Sequence, residues 1–151
     1  MKNVPLLFRD NSSVEFLRVN LKNSWILPFY ASHISAGFPS PAEDYVDLRL
    51  NIGEFVTENP TSTFFVRVHG DSMQDAHIVE GSILAVDKSL KAQSGDIIVA
   101  VVNNEFTVKR LITKGSKVYL VPENKKYQPL EITEDMNFQV WGKVVTVLHK
   151  L

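Results

Sequence analysis

The tetrapeptide Gly70-Asp71-Ser72-Met73 places a serine hydroxyl directly after a predicted strand. Glycine permits a tight turn, which would lift the Ser72 hydroxyl and the adjacent amides out of the sheet edge. A serine presented in this way is a candidate nucleophile. Gly-Asp-Ser is also ordinary turn sequence, so the tetrapeptide alone leaves both interpretations open.

A second candidate is Lys109, which lies in a predicted strand beside apolar residues such as Val108 and Leu111. Burial disfavours the ammonium form and lowers a lysine pKa, so a buried amine would accept a proton from a serine hydroxyl near neutral pH. Ser72 and Lys109 would then form a Ser-Lys dyad. The alternative is a strand lysine that reaches water, with Arg110 on the opposite face. Because 37 residues separate the two candidates, only the fold can bring them together.

Other site chemistries find less support. A Ser-His-Asp triad is formally possible, because histidines and aspartates lie near the serine in the sequence: His69, His77, Asp71, Asp75 and Asp87. The Gly-x-Ser-x-Gly pattern is absent, since Met73 and Gln74 follow the serine. The chain has no cysteine, which excludes a disulfide, a thiolate zinc site and a cysteine nucleophile. No metal-ligand spacing and no glycine-rich phosphate loop is recognisable, so we expect no metal and no cofactor.

Length and composition favour one compact, soluble domain. The chain has 151 residues, of which 44% are hydrophobic, enough to bury a core. Its 16 basic and 17 acidic residues give a net charge of -1, which argues against general binding to nucleic acid or anionic lipid. No apolar run approaches the roughly 20 residues needed to cross a bilayer, and the N-terminal segment does not resemble a secretory leader. We therefore expect a cytoplasmic protein.

The distribution of proline divides the chain into two parts. Four of the seven prolines lie in the first 41 residues, whereas residues 61–121 contain none. Because proline removes a backbone donor and is found at edges and turns, a proline-free span rich in Val, Ile and Phe is typical of a sheet interior. We expect an N-terminal arm over residues 1–42 and a folded body over residues 43–151.

Alternating apolar and polar residues predict a mostly-β body. Six strands are predicted, over residues 63–69, 82–87, 96–102, 105–112, 117–121 and 138–147. Asn103 and Asn104 tolerate positive φ and predict a two-residue hairpin loop. Asn51 followed by Glu54 predicts the cap of a short helix that ends before Pro60. Short strands at close spacing are typical of a rolled or barrel-like sheet.

Four ordered blocks closely resemble the LexA/UmuD family of self-cleaving serine-lysine proteases: GDSM (70–73), IVEGSILAVD (78–87), SGDIIVA (94–100) and EFTVKRL (105–111). A fifth block, AGFPSPAEDYV (36–46), is similar to the cleavage segment of the UmuD branch. The resemblance covers about residues 27–150. A LexA-type repressor would carry an N-terminal helix-turn-helix domain, which the 36 residues ahead of the cleavage site cannot supply. The UmuD branch is therefore expected.

The resemblance implies a mostly-β catalytic domain in which Ser72 is the nucleophile and Lys109 is the general base. The main-chain amides of Asp71 and Ser72 are our candidates for the oxyanion hole. His69 and His77 depart from the family pattern, but neither departure touches the two implied catalytic residues.

The implied cleavage site is the peptide bond between Ala36 and Gly37. Both residues are small enough for a tight cleft, and Pro39 and Pro41 keep the chain extended, which suits docking along a strand edge. A stiff linker that makes no contact with the protease is the alternative interpretation of this segment.

The resemblance also implies partners and a cellular role. Cleavage would be stimulated by a RecA filament on single-stranded DNA. The trimmed homodimer would then act as accessory subunit of a UmuC-like Y-family polymerase in error-prone translesion synthesis during the SOS response to DNA damage. A net charge of -1 is compatible with reaching DNA only through such partners, and no membrane contact is expected.

Two other functions fit the same residues. The first is a noncatalytic β-rich protein-binding module in which the serine and the lysine are structural. The second is a signal-peptidase-like enzyme that uses the same dyad on other proteins, although the expected absence of a membrane anchor disfavours it.

Overall fold

The structure, a computed structural model, describes residues 14–17, 26–30, 36–37 and 47–151. The strands in this part of the chain are β1 (Val14–Leu17), β2 (Ile26–Tyr30), β3 (Asp47–Asn51), β4 (Thr63–Val68), β5 (Ile83–Asp87), β6 (Ile97–Val102), β7 (Glu105–Lys114), β8 (Lys117–Val121), β9 (Leu130–Ile132) and β10 (Phe138–Leu148). One α-helix, α1 (Ile52–Val56), and two short 3-10 helices, Pro60–Ser62 and Gln74–Ala76, complete the described elements.

The main sheet is antiparallel and rolled. Its order is β1-β4-β5-β10-β6-β7-β8-β9, and β2 pairs with β3 in a separate two-stranded sheet. Val14 of β1 and Val108 of β7 belong to one hydrophobic cluster, although five strand positions separate them. In a flat sheet such strands would lie about 24 Å apart. The prediction of a mostly-β fold with a rolled sheet is therefore confirmed.

The long strand β10 lies at the centre of the sheet and is bent. It pairs with β5 on one side and β6 on the other, and its register shifts between Val140 and Gly142 and between Val144 and Thr146. Bulges of this kind bend a strand and increase its twist. A Cβ at Gly142 would lie 2.7 Å from Val86 Cγ1, so the close approach of β10 to β5 requires glycine.

The six predicted strands are present as β4 to β8 and β10, each within two residues of the predicted bounds. Asn103 and Asn104 have φ values of 49° and 68° and form the predicted hairpin loop between β6 and β7. Strand β9 was not predicted, because its three residues after Pro129 are too few for an alternating pattern to appear.

Helix α1 begins at the predicted cap. The Asn51 side chain accepts a hydrogen bond from Gly53 N at 3.0 Å and donates to Glu54 Oε1 at 3.1 Å. The helix ends at Val56, whose carbonyl accepts from Thr146 Oγ1 of β10 at 2.7 Å. No helix within the described ranges has the length and apolar character that crossing a membrane would require.

Two hydrophobic clusters occupy the two faces of the sheet. Ile98 and Val99 are neighbours in β6, so their side chains point to opposite faces, and each is fully buried. Val99 belongs to the first cluster, together with Val108 of β7. Ile98 belongs to the second cluster, together with Leu111 of β7. The second face is the one toward which Lys109 projects, because Lys109 lies opposite Ile98 in the β6–β7 pairing.

Two strands from the predicted arm pair with strands from the predicted body. Strand β1 lies along β4, with Val14 opposite Val68 and Leu17 opposite Phe65, and β2 lies along β3. Val14 is only 4% exposed. This part of the arm therefore contributes to the first hydrophobic cluster, while the division at residue 42 stays a prediction.

Candidate active site

The chain between β4 and β5 forms a closed loop that carries Ser72. Val68 N donates to Ser82 O and Gly81 N donates to Val68 O, both at 2.9 Å, so the two ends of the loop are joined. Gly70 has a φ of 96°, which side chains rarely adopt, so the turn that leads into the serine requires glycine.

Buried side chains fix this loop on the sheet. Met73, the residue after Ser72, is 2% exposed, and Ile78 is fully buried. Both pack in the first hydrophobic cluster, on either side of the short helix Gln74–Ala76. Because its neighbour is anchored in the core, the half-buried Ser72 cannot turn inward without unpacking Met73.

Lys109 Nζ lies 3.1 Å from Ser72 Oγ and 2.9 Å from both Thr107 Oγ1 and the Val108 carbonyl oxygen. The lysine side chain is half-buried, and desolvation of the ammonium lowers the pKa of Lys109. A neutral amine has two N–H donors and one lone pair. Donation to Thr107 and Val108 leaves the lone pair for the Ser72 hydroxyl, so the three contacts match the needs of a neutral base.

The roll of the sheet brings these two residues together. Ser72 follows β4, Lys109 lies on β7, and four strand positions separate these strands. In a flat sheet that separation is about 19 Å. The structure therefore joins the predicted pair, while their catalytic roles stay predictions.

Arg110 projects to the face opposite Lys109, as expected from strand alternation. Its Nε forms a short ion pair with Glu123 Oε1, and its Nη1 donates to the Gly95 carbonyl at 2.6 Å. The positive charge of Arg110 is thus directed away from the Lys109 amine.

His69, which the alternative triad would pair with an aspartate, contacts the carboxylate of Glu80 instead. Its Nδ1 lies 3.0 Å from Glu80 Oε1, and the other Glu80 oxygen accepts a short hydrogen bond from Gly70 N. The bond from Gly70, followed by that from His69, lowers the pKa of Glu80. Asp87, another member, accepts from Asn59 Nδ2 at 2.7 Å at the far end of β5. Within the described residues, Ser72 is paired with a lysine and not with a histidine.

Three site residues were missed by sequence reasoning. Thr107 precedes Lys109 by two positions and therefore shares its strand face, a signal that was available. Asn124 Nδ2 donates to the Asp71 carbonyl at 2.9 Å, and the Tyr127 hydroxyl donates to the Asp71 carboxylate. The last two lie more than 50 residues from Asp71 in the sequence, so no local pattern indicates them.

The candidate oxyanion-hole amides differ in their surroundings. The Ser72 N–H donates to no acceptor within the part of the chain that the structure describes. The pKa of the Asp71 carboxyl is lowered mainly by the hydrogen bond from Tyr127, with smaller contributions from Lys126 and from the Asp71 N–H. The Asp71 N–H is therefore already engaged by its own carboxylate. The Ser72 amide is therefore the better candidate of the two.

Ala36 and Gly37 lie in a bend, and both are exposed. The flanking positions 31–35 and 38–46, including Pro39 and Pro41, lie outside the described residues. The predicted scissile bond is thus accessible in its own bend, and its role stays a prediction. Among the described residues, no group of three or more histidine and acidic side chains is placed to hold a metal ion.

A family model described as Peptidase S24-like matches residues 28–145. The chain is 45% identical to Protein MucA of Salmonella typhimurium over 119 residues, which cover 78% of this chain and 81% of that protein. It is 36% identical to Protein ImpA of Escherichia coli over 132 residues, covering 85% and 87% of the two chains.

A further relative is the LexA repressor of Shewanella piezotolerans, with 41% identity over 117 residues. This match covers 77% of the present chain and 56% of the repressor. The LexA/UmuD resemblance predicted from the residues is confirmed, and the chain belongs to the Peptidase S24-like family.

Proposed function

We propose that this protein is a serine peptidase that cleaves its own chain between Ala36 and Gly37. The neutral Lys109 amine takes the proton of the Ser72 hydroxyl, and Ser72 Oγ attacks the Ala36 carbonyl carbon. The resulting ammonium gives its proton to the departing Gly37 nitrogen as the peptide bond breaks. Water then hydrolyses the Ala36–Ser72 ester, with Lys109 again as base, and residues 1–36 leave the body.

One observation carries this proposal: the 3.1 Å separation between Ser72 Oγ and a Lys109 amine whose pKa burial has lowered. A lysine that ends in water would keep its proton at neutral pH and would be unable to act as a base. Tethering also favours the reaction, because an intramolecular substrate has a high effective concentration at the nucleophile.

We further propose the cellular role that the family resemblance implies. The trimmed chain, as a homodimer, would serve as accessory subunit of an error-prone translesion polymerase in the SOS response, after cleavage stimulated by a RecA filament on single-stranded DNA. Membership of the Peptidase S24-like family and the similarity to MucA and ImpA support a role of this kind.

Intact-mass analysis during incubation at alkaline pH tests the cleavage. We expect the wild-type chain to lose its first 36 residues, and Ser72→Ala and Lys109→Ala each to stay intact with an unchanged circular dichroism spectrum. Lys114→Ala, which removes an exposed lysine from the same strand, is the matched control and should process like wild type. Normal processing by Lys109→Ala would contradict the dyad.

The same assay separates the other functions. A wild-type chain that stays intact under all conditions favours the noncatalytic binding module. A Ser72→Ala chain lacks the nucleophile and a cleavage-site variant cannot be cut, so cleavage of the Ser72→Ala chain in a mixture of the two shows that one molecule cuts another. Cleavage of an added unrelated peptide favours an enzyme that acts on other proteins.

A further inference from the structure

We propose that Asn124 is a positioning residue that directs the Ser72 amide toward the carbonyl under attack. Asn124 Nδ2 donates to the Asp71 carbonyl at 2.9 Å, and that carbonyl shares a peptide unit with the Ser72 N–H. The C=O and N–H of a trans peptide unit point in opposite directions. A contact that fixes the Asp71 carbonyl therefore also fixes the direction of the Ser72 N–H. The inference rests on the proposed function, because it assigns that N–H to the oxyanion hole.

Asn124 is itself held in a single orientation. The residue is 5% exposed, and its Oδ1 accepts from Lys126 N at 3.0 Å. A carbonyl can only accept and a backbone N–H can only donate, so the two partners decide which end of the amide faces Asp71. A buried side chain that uses both its donor and its acceptor has little freedom to turn.

The Asp71 carbonyl also accepts from Gln74 N at 3.2 Å. This second contact belongs to the same loop as Ser72, so it moves with the turn and does not fix the turn relative to the base. Asn124 belongs to the bracket loop, which we define as residues 122–127 between β8 and β9. Its hydrogen bond is a contact from outside the nucleophile's own loop.

The bracket loop is attached both to the loop that carries Ser72 and to the strand that carries Lys109. The Glu123 carbonyl accepts from Asp75 N at 2.8 Å, on the serine loop. The Glu123 carboxylate pairs with Arg110, the residue after Lys109. The bracket loop, which carries Asn124, is thus attached to β7, the strand of Lys109. The hydrogen bond from Asn124 therefore sets the direction of the Ser72 N–H relative to Lys109.

The test replaces Asn124 by Asp, which has nearly the same shape but presents an oxygen to the Asp71 carbonyl. We expect the self-cleavage rate to fall by about 10- to 100-fold, somewhat less than the loss of a whole oxyanion-hole donor. With a separate peptide that contains the Ala36-Gly37 bond, kcat should fall while KM stays unchanged. The pH midpoint of cleavage should stay unchanged in the uncharged variant Asn124→Ser, because that substitution places no charge near Lys109.

Two further variants separate positioning from folding. Lys125→Ala changes an exposed side chain of the bracket loop and leaves the Asn124 contact in place, so its rate should stay close to wild type. Asn124→Ser shortens the side chain, so that its hydroxyl no longer reaches the Asp71 carbonyl, and it adds no charge. It should show the loss of kcat even where Asn124→Asp fails to fold.

The outcomes are distinct. An Asn124→Ser chain that melts at a lower temperature but keeps the wild-type kcat below its melting point shows a purely structural role and overturns the inference. The proposed function survives that result, provided that wild type cleaves and Ser72→Ala does not. A wild-type chain that never cleaves overturns both.

Discussion

Burial lowers the pKa of Lys109, and no opposite charge among the described residues counteracts it. Within the described part of the chain, its hydrogen-bond partners are the oxygens of Ser72, Thr107 and Val108, and no carboxylate pairs with it. Desolvation alone lowers its pKa. The ammonium would donate to all three uncharged oxygens, whereas the neutral amine donates to Thr107 and Val108 and accepts from the Ser72 hydroxyl. The ammonium therefore loses part of its hydration without gaining a counter-charge.

We expect the rate of self-cleavage to rise with pH through the lowered pKa of Lys109 and then to level off. Since the folded chain releases this proton more readily than an ordinary lysine with a pKa of about 10.4, the half-maximal rate should be reached below that pH. Rate constants from intact masses between about pH 6 and about pH 11 measure the profile. Lys114→Ala should give the same curve, and a flat profile from neutral to alkaline pH would contradict the neutral-lysine mechanism.

At the scale of the element, β10 determines how the sheet bends. It lies between β5 and β6, and its two register shifts occur where the strand must turn. Gly142 lies at the first shift, and a Cβ there would also lie 3.2 Å from the Asp87 carbonyl oxygen. The packing between β10 and β5 thus depends on the missing side chain.

We expect Gly142→Ala to lower the free energy of unfolding by about 1–3 kcal/mol, because the added methyl group must displace Val86 or the β5 backbone. Urea denaturation in a Ser72→Ala background, which prevents cleavage during the measurement, gives the value. Val145→Ala, at an exposed position of the same strand, should change stability much less. Equal effects of the two substitutions would show that the bend tolerates a side chain.

At the scale of the whole molecule, a buried carboxylate joins the start of β4 to the end of β5. Asp87 is 1% exposed and accepts hydrogen bonds from Asn59, Ser62 and Ser89. Burial alone would raise its pKa, but these hydrogen bonds together outweigh it and lower the pKa of Asp87 to about 2. The unfolded chain binds this proton more readily than the folded one, so ionised Asp87 stabilises the fold.

We expect this stabilisation to be present above about pH 4 and to be lost as the pH falls toward 2, with a total on the order of 2 kcal/mol. In the Ser72→Ala background, Asp87→Asn should be less stable at pH 7 and should show a shallower loss of stability in acid. Urea denaturation at several pH values measures both effects. Glu58→Gln, at an exposed position, is the control, and an acid slope in Asp87→Asn equal to that of its parent would contradict this role.

Elements whose signal lies within a few residues of sequence were predicted, whereas contacts between distant residues were not. Alternation predicted β4 to β8 and β10 because strand periodicity is a local property, and Asn51 predicted the start of α1 for the same reason. Asn124 carried no such signal, since its partner Asp71 lies 53 residues away. Pairings at that separation depend on the path of the chain, which no short window of sequence contains.

The available residue types can be read from the sequence alone: a serine in a glycine turn, a lysine on an apolar strand, and no cysteine or metal-ligand pattern. The meeting of the serine and the lysine at 3.1 Å, and the partial desolvation of the lysine there, follow only from the fold. The roll of the sheet explains this meeting, because the loop after β4 can reach β7 only when strands that would lie about 19 Å apart in a flat sheet curl around the core.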